Sequence, residues 1–378
     1  MQLSEEHLLI QNTARRFAAH RLTPKAEDWD RKAYFPRDVI SEMGDLGLLG
    51  ILVPEDWGGA NADFISYAVS LTEIAGGDGG LSTVMAVQAV AETCILAYGN
   101  VEQKNRFLPD LTSGRAIGAF LLSEPQTGSE ASAITCKAHL DGNHYVLNGT
   151  KQFITSGANG NVAIAFAVTN PEEGSRGISA FIVPTDTPGY KVAKVEHKLG
   201  QKSSDTAQIV FDDLRLPTDL LLGEEGQGYK IALSNLEGGR IGIAAQAVGF
   251  AAAAYRFSKT YAMERETFGK RIIDHQAIGF KLAEMATQVE AGRHMMLNAA
   301  NLKALGKSCL KEASMAKLFC SEMAERVCSD AIQVHGGYGY LSDFPVERIY
   351  RDARVCQIYE GTSEVQKLLI CRAIQEET

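Results

Sequence analysis

The residues best placed to do chemistry lie near the C-terminus, in Gln357-Ile358-Tyr359-Glu360-Gly361-Thr362-Ser363-Glu364-Val365-Gln366. Val355, Ile358 and Tyr359 make an apolar approach that delivers one carboxylate, Glu360, and Gly361 then lets the backbone turn. Ser363 with Gln366 three residues on matches a capping box, and Val365, Leu368 and Leu369 supply the apolar stripe of a following helix. The pattern predicts Glu360 in a loop just ahead of a helix N-terminus, where backbone N–H groups gather and an anion is favoured. In a dry site desolvation would raise this carboxyl toward neutrality and suit it to act as a base. In a wet one it is a solvated glutamate before a helix.

Three other stretches carry candidate binding chemistry. Leu121-Leu122-Ser123-Glu124-Pro125-Gln126-Thr127-Gly128-Ser129-Glu130 offers hydroxyls and backbone amides that could hold a flat heteroatom-rich ring, or simply form a polar loop. Glu264-Arg265-Glu266-Thr267-Phe268-Gly269-Lys270, with His275-Gln276 after it, sets an arginine suited to phosphate beside an aromatic that could stack. Its plain reading is a solvated helix-end cluster. Gln333-Val334-His335-Gly336-Gly337-Tyr338-Gly339-Tyr340 puts glycines after a long helix, where a backbone could approach a pyrophosphate or make a C-cap.

Several familiar signals fail. Ala304-Leu305-Gly306-Lys307-Ser308 ends like a phosphate loop, but Asn301 stands where the first glycine belongs. No Gly-x-Gly-x-x-Gly follows a strand, the eight histidines show no metal spacing, and the cysteines contain no Cys-x-x-Cys. No metal is expected. Asn148-Gly149-Thr150 is formally a glycosylation sequon, better explained as a hairpin turn.

The elements that must position these residues follow from pattern. A length of 378 residues implies two or three domains. A net charge of -9 weighs against nucleic acid or an anionic membrane as partner. No apolar run reaches the length of a membrane span, the first residues make no basic-then-apolar leader, and the seven cysteines read as buried thiols. Residues 3–118 read as helical. Leu8, Leu9, Thr13, Phe17 and His20 supply the first amphipathic face, and Leu81 to Ala97 reads as a helix buried all round. From Ala119 to about Leu222 short strands take over, with Asn148-Gly149 as a hairpin between His144–Leu147 and Lys151–Thr155. From Gln227 long helices return, over about 229–264, 275–305 and 310–334, and pack best as a bundle. The expected division is 1–118, 119–226 and 227–378.

Taken together, the motifs resemble those of the acyl-CoA dehydrogenases, flavoproteins that oxidise acyl-CoA thioesters to trans-2-enoyl-CoA. The resemblance runs from the first helix to Arg372. It rests on Leu-Ser-Glu-Pro followed by Gly-Ser, Asn-Gly-Thr-Lys with Phe-Ile-Thr, Arg-Glu-Thr-Phe-Gly, Gln-x-x-Gly-Gly-x-Gly, and Arg-Asp-Ala-Arg before Ile-Tyr-Glu-Gly-Thr-Ser-Glu. It implies an α+β chain: an N-terminal helical domain, a central β-barrel or sandwich, and a C-terminal four-helix bundle, assembled as a homotetramer. FAD is the implied cofactor. By similarity Leu122 and Ser123 face the flavin ring, Ser129 lies near flavin and substrate, and Phe153 and Thr155 cover the other side. Phe153 stands where the family usually has tryptophan. Arg265, Thr267, Phe268 and Gln276 would hold the diphosphate and adenosine of a flavin that belongs largely to a neighbouring subunit, as would Gln333, Gly336 and Gly337. Thr362 and Glu364 would complete the flavin site. Glu237, Arg240, Tyr359, Gly361 and Arg372, with Ser129, would contact the acyl-CoA.

The implied mechanism has Glu360 take the α proton while flavin N5 accepts the β hydride. The thioester carbonyl is polarised by the amide of that glutamate and a ribityl hydroxyl. Some relatives carry the base on the long helix, at the position of Gly239. With a glycine there and a carboxylate at 360, this chain looks like a short-chain or short branched-chain enzyme. Electrons would pass to an electron-transferring flavoprotein. The alternatives are an acyl-CoA oxidase using oxygen and a non-catalytic binding protein on the same fold. The expected location is the cytoplasm, or the mitochondrial matrix for a trimmed chain, with no nucleic-acid partner and no membrane insertion.

Overall fold

A computed structural model of the chain describes residues 2–377. Side-chain caps start most of the N-terminal helices. Ser4 and His7 exchange hydrogen bonds at the head of α1 (Glu5–Phe17), and α2 (Ala26–Lys32) and α3 (Arg37–Asp45) follow. Asp63 accepts from the Ser66 N–H to open α4 (Phe64–Gly77), and Asp78 accepts from the Leu81 N–H to open α5 (Gly79–Tyr98). Asn100 and Gln103 box the start of α6 (Val101–Thr112).

Two expectations for this region are corrected. α1 turns Gln11, Ala14 and Phe17 inward while Leu9 is 65% exposed. Gln11 is drawn in because its amide donates to Glu73 on α4 at 2.8 Å. α5, for its part, is long and apolar enough to cross a bilayer, although no run was expected to be. Its most apolar stretch is 78% buried in the fold, as befits a core helix.

Eight strands then form one hydrogen-bonded sheet: β1 (Gly118–Leu121), β2 (Lys137–Asp141), β3 (His144–Thr155), β4 (Val162–Val168), β5 (Ile178–Pro184), β6 (Tyr190–Val195), β7 (Thr206–Pro217) and β8 (Leu221–Leu222). The order is β6-β7-β3-β2-β4-β5-β8, with β1 parallel to β4, and the path does not close on itself. Asn148-Gly149 is not a hairpin turn; β3 runs straight through it, and the turn between β2 and β3 falls at Gly142 (φ 63°). Asn148 instead exchanges hydrogen bonds with Asp213 at 2.9 and 3.0 Å across a bulge in the pairing with β7. Gly149 is needed because a Cβ there would lie 2.7 Å from Cys136 Cα.

The C-terminal third is α7 (Gly228–Glu264), a short hairpin of β9 (Glu266–Thr267) and β10 (Lys270–Arg271), α8 (Gln276–Ala304), α9 (Leu310–His335), α10 (Pro345–Ala353) and α11 (Ser363–Glu376). α7, α8 and α9 pack on one another, and α10 and α11 lie against α9. One apolar core unites α1, α3 and α4 with α7 to α10, and a second unites the sheet with α6. α5 belongs to both: Leu81 to Ala89 enter the first core and Val90 to Ile95 the second. All seven cysteines are free, and Cys371 on α11 is exposed, unlike the other six.

Candidate active site

Glu360 sits where the two helical thirds meet. Its backbone is left-handed (φ 52°) and Gly361 continues the turn (φ 86°). For a glutamate that conformation costs about 1–2 kcal/mol, so the surrounding contacts must impose it. Glu360 Oε2 is sealed from solvent and has no hydrogen-bond partner. Burial holds the carboxyl above the ordinary carboxylate range, against the charges of Arg240 and Lys317, which pull it down. The carboxylate also reaches Tyr67 on α4 and Cys94 on α5 electrostatically, helping to raise both groups behind the larger effect of their burial. A Cβ on Gly239 would stand 2.7 Å from Oε2. The solvated-glutamate reading does not hold.

The loop is pinned from both sides. Behind it, the Tyr359 hydroxyl donates to Gln246 of α7 and accepts from Gln201 at 3.3 Å, and the Gln246 amide bonds Ser82 and Thr83 of α5 at 2.6 and 2.8 Å. Tyr359, expected at the substrate, thus has its polar end engaged in the protein. Ahead of it, the predicted capping box is displaced by one residue. Thr362 is the N-cap, accepting from the Val365 N–H at 3.4 Å, and Ser363 Oγ is buried without a partner. The Gln366 amide turns back instead to the carbonyls of Glu360 (3.1 Å) and Gly361 (2.9 Å). The Glu360 N–H donates to no acceptor among the described residues.

Of the other residues expected at the acyl-CoA, Arg240 is buried beside Glu360 with its Nε unpartnered. Glu237, one helical turn earlier, is already held by Lys303 (2.7 Å) and by the Cys309 N–H (2.8 Å). Arg372 and Ser129 are exposed. A groove of about 480 Å³ that sequence reasoning missed opens at the start of α7, lined by Ser175, Arg176, Tyr229, Lys230 and Leu233 among others. Neither cation makes an ion pair among the described residues. Isolated basic residues on separate segments gave no sequence signal; only folding brings residues 176 and 230 together.

On the sheet side, Leu122 is buried in the same core as Cys94, so it flanks α5 from the face opposite the helical core. Glu124 and Lys151 form a fully buried ion pair at 2.8 Å, and Lys151 also donates to the Leu122 carbonyl at 3.3 Å. The Ser123 carbonyl accepts from the Gln152 N–H at 2.9 Å. Phe153 is left-handed (φ 60°) and 68% exposed, Thr155 is half-buried, and Ser156 (φ 57°) buries an Oγ that has no partner. A second group lies far along the bundle. Arg265 stands over the Tyr338 ring at 5.8 Å, Thr267 O lies 3.1 Å from His275 Nε2, and Phe268 is 97% exposed. Gln276, Gln333, Gly336 and Gly337 are exposed there too, as is Glu364 on α11.

Family models for the N-terminal, middle and C-terminal domains of acyl-CoA dehydrogenase match residues 4–115, 119–214 and 226–375. The chain belongs to the acyl-CoA dehydrogenase family. It is 46% identical to an acyl-CoA dehydrogenase of Bacillus subtilis over 98% of both chains. It is 44% identical to the short-chain specific mitochondrial enzyme of Homo sapiens, over 98% of this chain and 90% of that one. Among solved structures, butyryl-CoA dehydrogenase from Megasphaera elsdenii superimposes with a TM-score of 0.97 at 38% identity over 99% of each chain. A chain from a structure of the electron-transferring flavoprotein of Acidaminococcus fermentans gives 0.98 at 41%, again over 99% of each. A glutaryl-CoA dehydrogenase of Mycobacterium smegmatis in complex with FADH2 gives 0.94 at 33%, over 99% of this chain and 95% of that one.

Acyl-CoA dehydrogenases are FAD flavoproteins that oxidise the CH–CH bond of acyl-CoA thioesters, and this chain's residues fit that cofactor and substrate. Of the seven buried side-chain polar atoms without partners among the described residues, those of Ser156, Arg240 and Glu360 belong to residues at or beside the expected site. The exposed group around Arg265 and Phe268 fits less simply. Arg265 follows Arg240 by twenty-five residues along α7, which is about 37 Å at 1.5 Å per residue.

Proposed function

We propose that this chain is a short-chain acyl-CoA dehydrogenase in which Glu360 is the α-proton base. The observation that carries the reading is the buried, unpartnered Oε2 of Glu360, held on a left-handed loop with Gly239 leaving room for it. Bound FAD supplies the acceptor for the β hydride. Burial keeps the Glu360 carboxylate basic, and Arg240 and Lys317 keep its ionised form accessible. The free Glu360 N–H is available to polarise the thioester carbonyl. Arg176 and Lys230 suit the phosphates of CoA. Lys230 precedes Arg240 by ten residues on α7, about 15 Å, a span an extended thioester arm can cover.

The rest of the reading extends from the same site. The exposed Arg265 group, far along α7 from the base, is read as serving the flavin of a neighbouring subunit, and the protein as a homotetramer. The division at 118/119 and 226/227 stands as the proposed domain plan. Electrons leave to an electron-transferring flavoprotein, supported by the likeness to a chain from the Acidaminococcus structure. Bacterial relatives support a cytoplasmic enzyme of fatty-acid β-oxidation. The test is anaerobic titration with straight and branched acyl-CoA esters. Bleaching of the flavin by short esters at stoichiometric amounts supports the reading; no bleaching by any ester overturns it. Rapid reoxidation in air with stoichiometric peroxide identifies an oxidase instead.

A further inference from the structure

Lys317 has figured so far only as a charge acting on Glu360, yet it is fully buried on α9 and aims at the base loop. Its ammonium donates to the Gly361 carbonyl at 2.7 Å, its one hydrogen bond among the described residues. Placing a lysine charge where no water reaches it is costly and calls for a return. That carbonyl closes the second of two successive left-handed residues, Glu360 and Gly361. Gln366 reaches the same two carbonyls from α11. Lys317 and Gln366 therefore grip the loop from two helices while Tyr359 anchors its other end.

We propose that Lys317 is a positioning residue for the base: its buried ammonium locks the Glu360–Gly361 turn and sets a second positive charge near Glu360. The inference rests on reading Glu360 as the base. The charged and titratable groups facing Lys317 are Glu360, Arg240 on α7, Cys356 before the loop and Glu364 on α11. Those facing Glu360 are Arg240, Lys317, Tyr67 and Cys94. Of these only Arg240 and Lys317 are cations, so losing Lys317 leaves one. Burial lowers the Lys317 ammonium to about 8, which leaves it predominantly charged at neutral pH.

The test uses the FAD-loaded enzyme and three variants, Glu360→Gln, Lys317→Met and Lys317→Gln. Glutamine retains a donor without the charge and stands in should methionine fail to fold. Two quantities are read: the rate of flavin reduction by short acyl-CoA against pH, and the protonated-carboxyl infrared band that Glu360→Gln removes. Loss of Lys317 is expected to move the titration of that band, and the kinetic pKa, to higher pH. It is also expected to slow reduction about 10–100-fold, the scale of a reacting group displaced by an ångström. A side chain that merely fills space would lower stability and leave both titrations in place. If either Lys317 variant folds with an unshifted band and a rate within twofold of wild type, the proposal is overturned. If Glu360→Gln itself reduces flavin at the wild-type rate, the base assignment falls, and with it the positioning role, whatever the band does.

Discussion

Gly239 of α7 and Glu360 contend for one small volume: a Cβ on the glycine would lie 2.7 Å from Oε2 and 3.2 Å from Cδ. Glycine in a helix interior costs about 1 kcal/mol relative to alanine, so the position favours alanine on every ground but this contact. Gly239→Ala is therefore expected to hold or raise the Tm while displacing the carboxylate, slowing flavin reduction about 10–100-fold. The same proximity would let a carboxylate on this helix reach the place that Glu360 Oε2 occupies. A Glu360→Gly, Gly239→Glu double variant is expected to regain part of the rate lost in Glu360→Gly alone. Stopped-flow reduction under anaerobic conditions reads both.

Glu360→Gln keeps the shape of the side chain and removes its basicity. FAD content and acyl-CoA binding are expected to survive, while flavin reduction falls about 10²–10⁴-fold, the contribution of a positioned base. In the wild type, burial raises this carboxyl, so the reduction rate rises with pH through a value above the usual glutamate range. The stability effect has the opposite sign. The folded state holds the Glu360 proton more tightly than the unfolded one, so ionising it costs stability as pH rises. Thermal scans at neutral pH are expected to find Glu360→Gln at least as stable as wild type.

Beneath the loop that carries Leu122 and Ser123, the Glu124–Lys151 pair is wholly enclosed. Burial pushes the Glu124 carboxyl up, but the Lys151 charge, the Thr135 N–H and the Gln126 amide outweigh it and hold it below the ordinary range. Its contribution is therefore present above the unfolded glutamate value and lost as pH falls through the lower folded one. Lys151→Met strands a buried anion and is expected to cost about 3–5 kcal/mol in chemical denaturation, with Glu124→Gln recovering part of the loss.

Asp352 of α10 behaves in the reverse way. Burial, with Asp78 and Asp30 adding to it, raises its carboxyl to about 7 despite the Gln201 N–H and Arg348. The folded state binds this proton more tightly, so the associated stability is complete below the unfolded aspartate value of about 3.9 and is lost as pH rises through about 7. Tm measured from acid to alkaline pH is expected to fall across that window, and Asp352→Asn to flatten the fall.

Much of this architecture was legible because its signals are local. The long helices α7, α8 and α9 announce themselves by period and length, and β4 by an unbroken apolar run between turn residues. Glu360 could be singled out as the one carboxylate between an apolar approach and a helix start. What escaped depends on partners distant in sequence. Asn148-Gly149 satisfies every local rule for a turn, yet Cys136 and Asp213 make it a bulge inside β3. Ser363 looked like the cap because Gln366 lay three residues on, but the Gln366 amide is needed by the carbonyls of Glu360 and Gly361. Tyr359 looked free for substrate until Gln246, more than a hundred residues earlier, claimed its hydroxyl.

The exposed surface around Phe268 yields the last prediction. A phenylalanine 97% exposed on a left-handed backbone (φ 51°), near Arg265, makes only an edge contact with the His275 ring among the described residues. Leaving so large an aromatic in water forgoes roughly 1.5–3 kcal/mol of burial, which a neighbouring subunit and its flavin would recover. Gly336 and Gly337 stand equally open, with nothing within 4 Å of an added Cβ. Phe268→Asp and Arg265→Ala are expected to weaken FAD retention on dilution. Both side chains are exposed and neither touches Glu360, so folding of the single chain, read by circular dichroism, is expected to persist. Light scattering of the wild type is expected to report a tetramer that dissociates as flavin is stripped. A wild-type monomer that keeps its flavin would place the Arg265 group outside the cofactor site, and the shared-flavin arrangement would have to be abandoned.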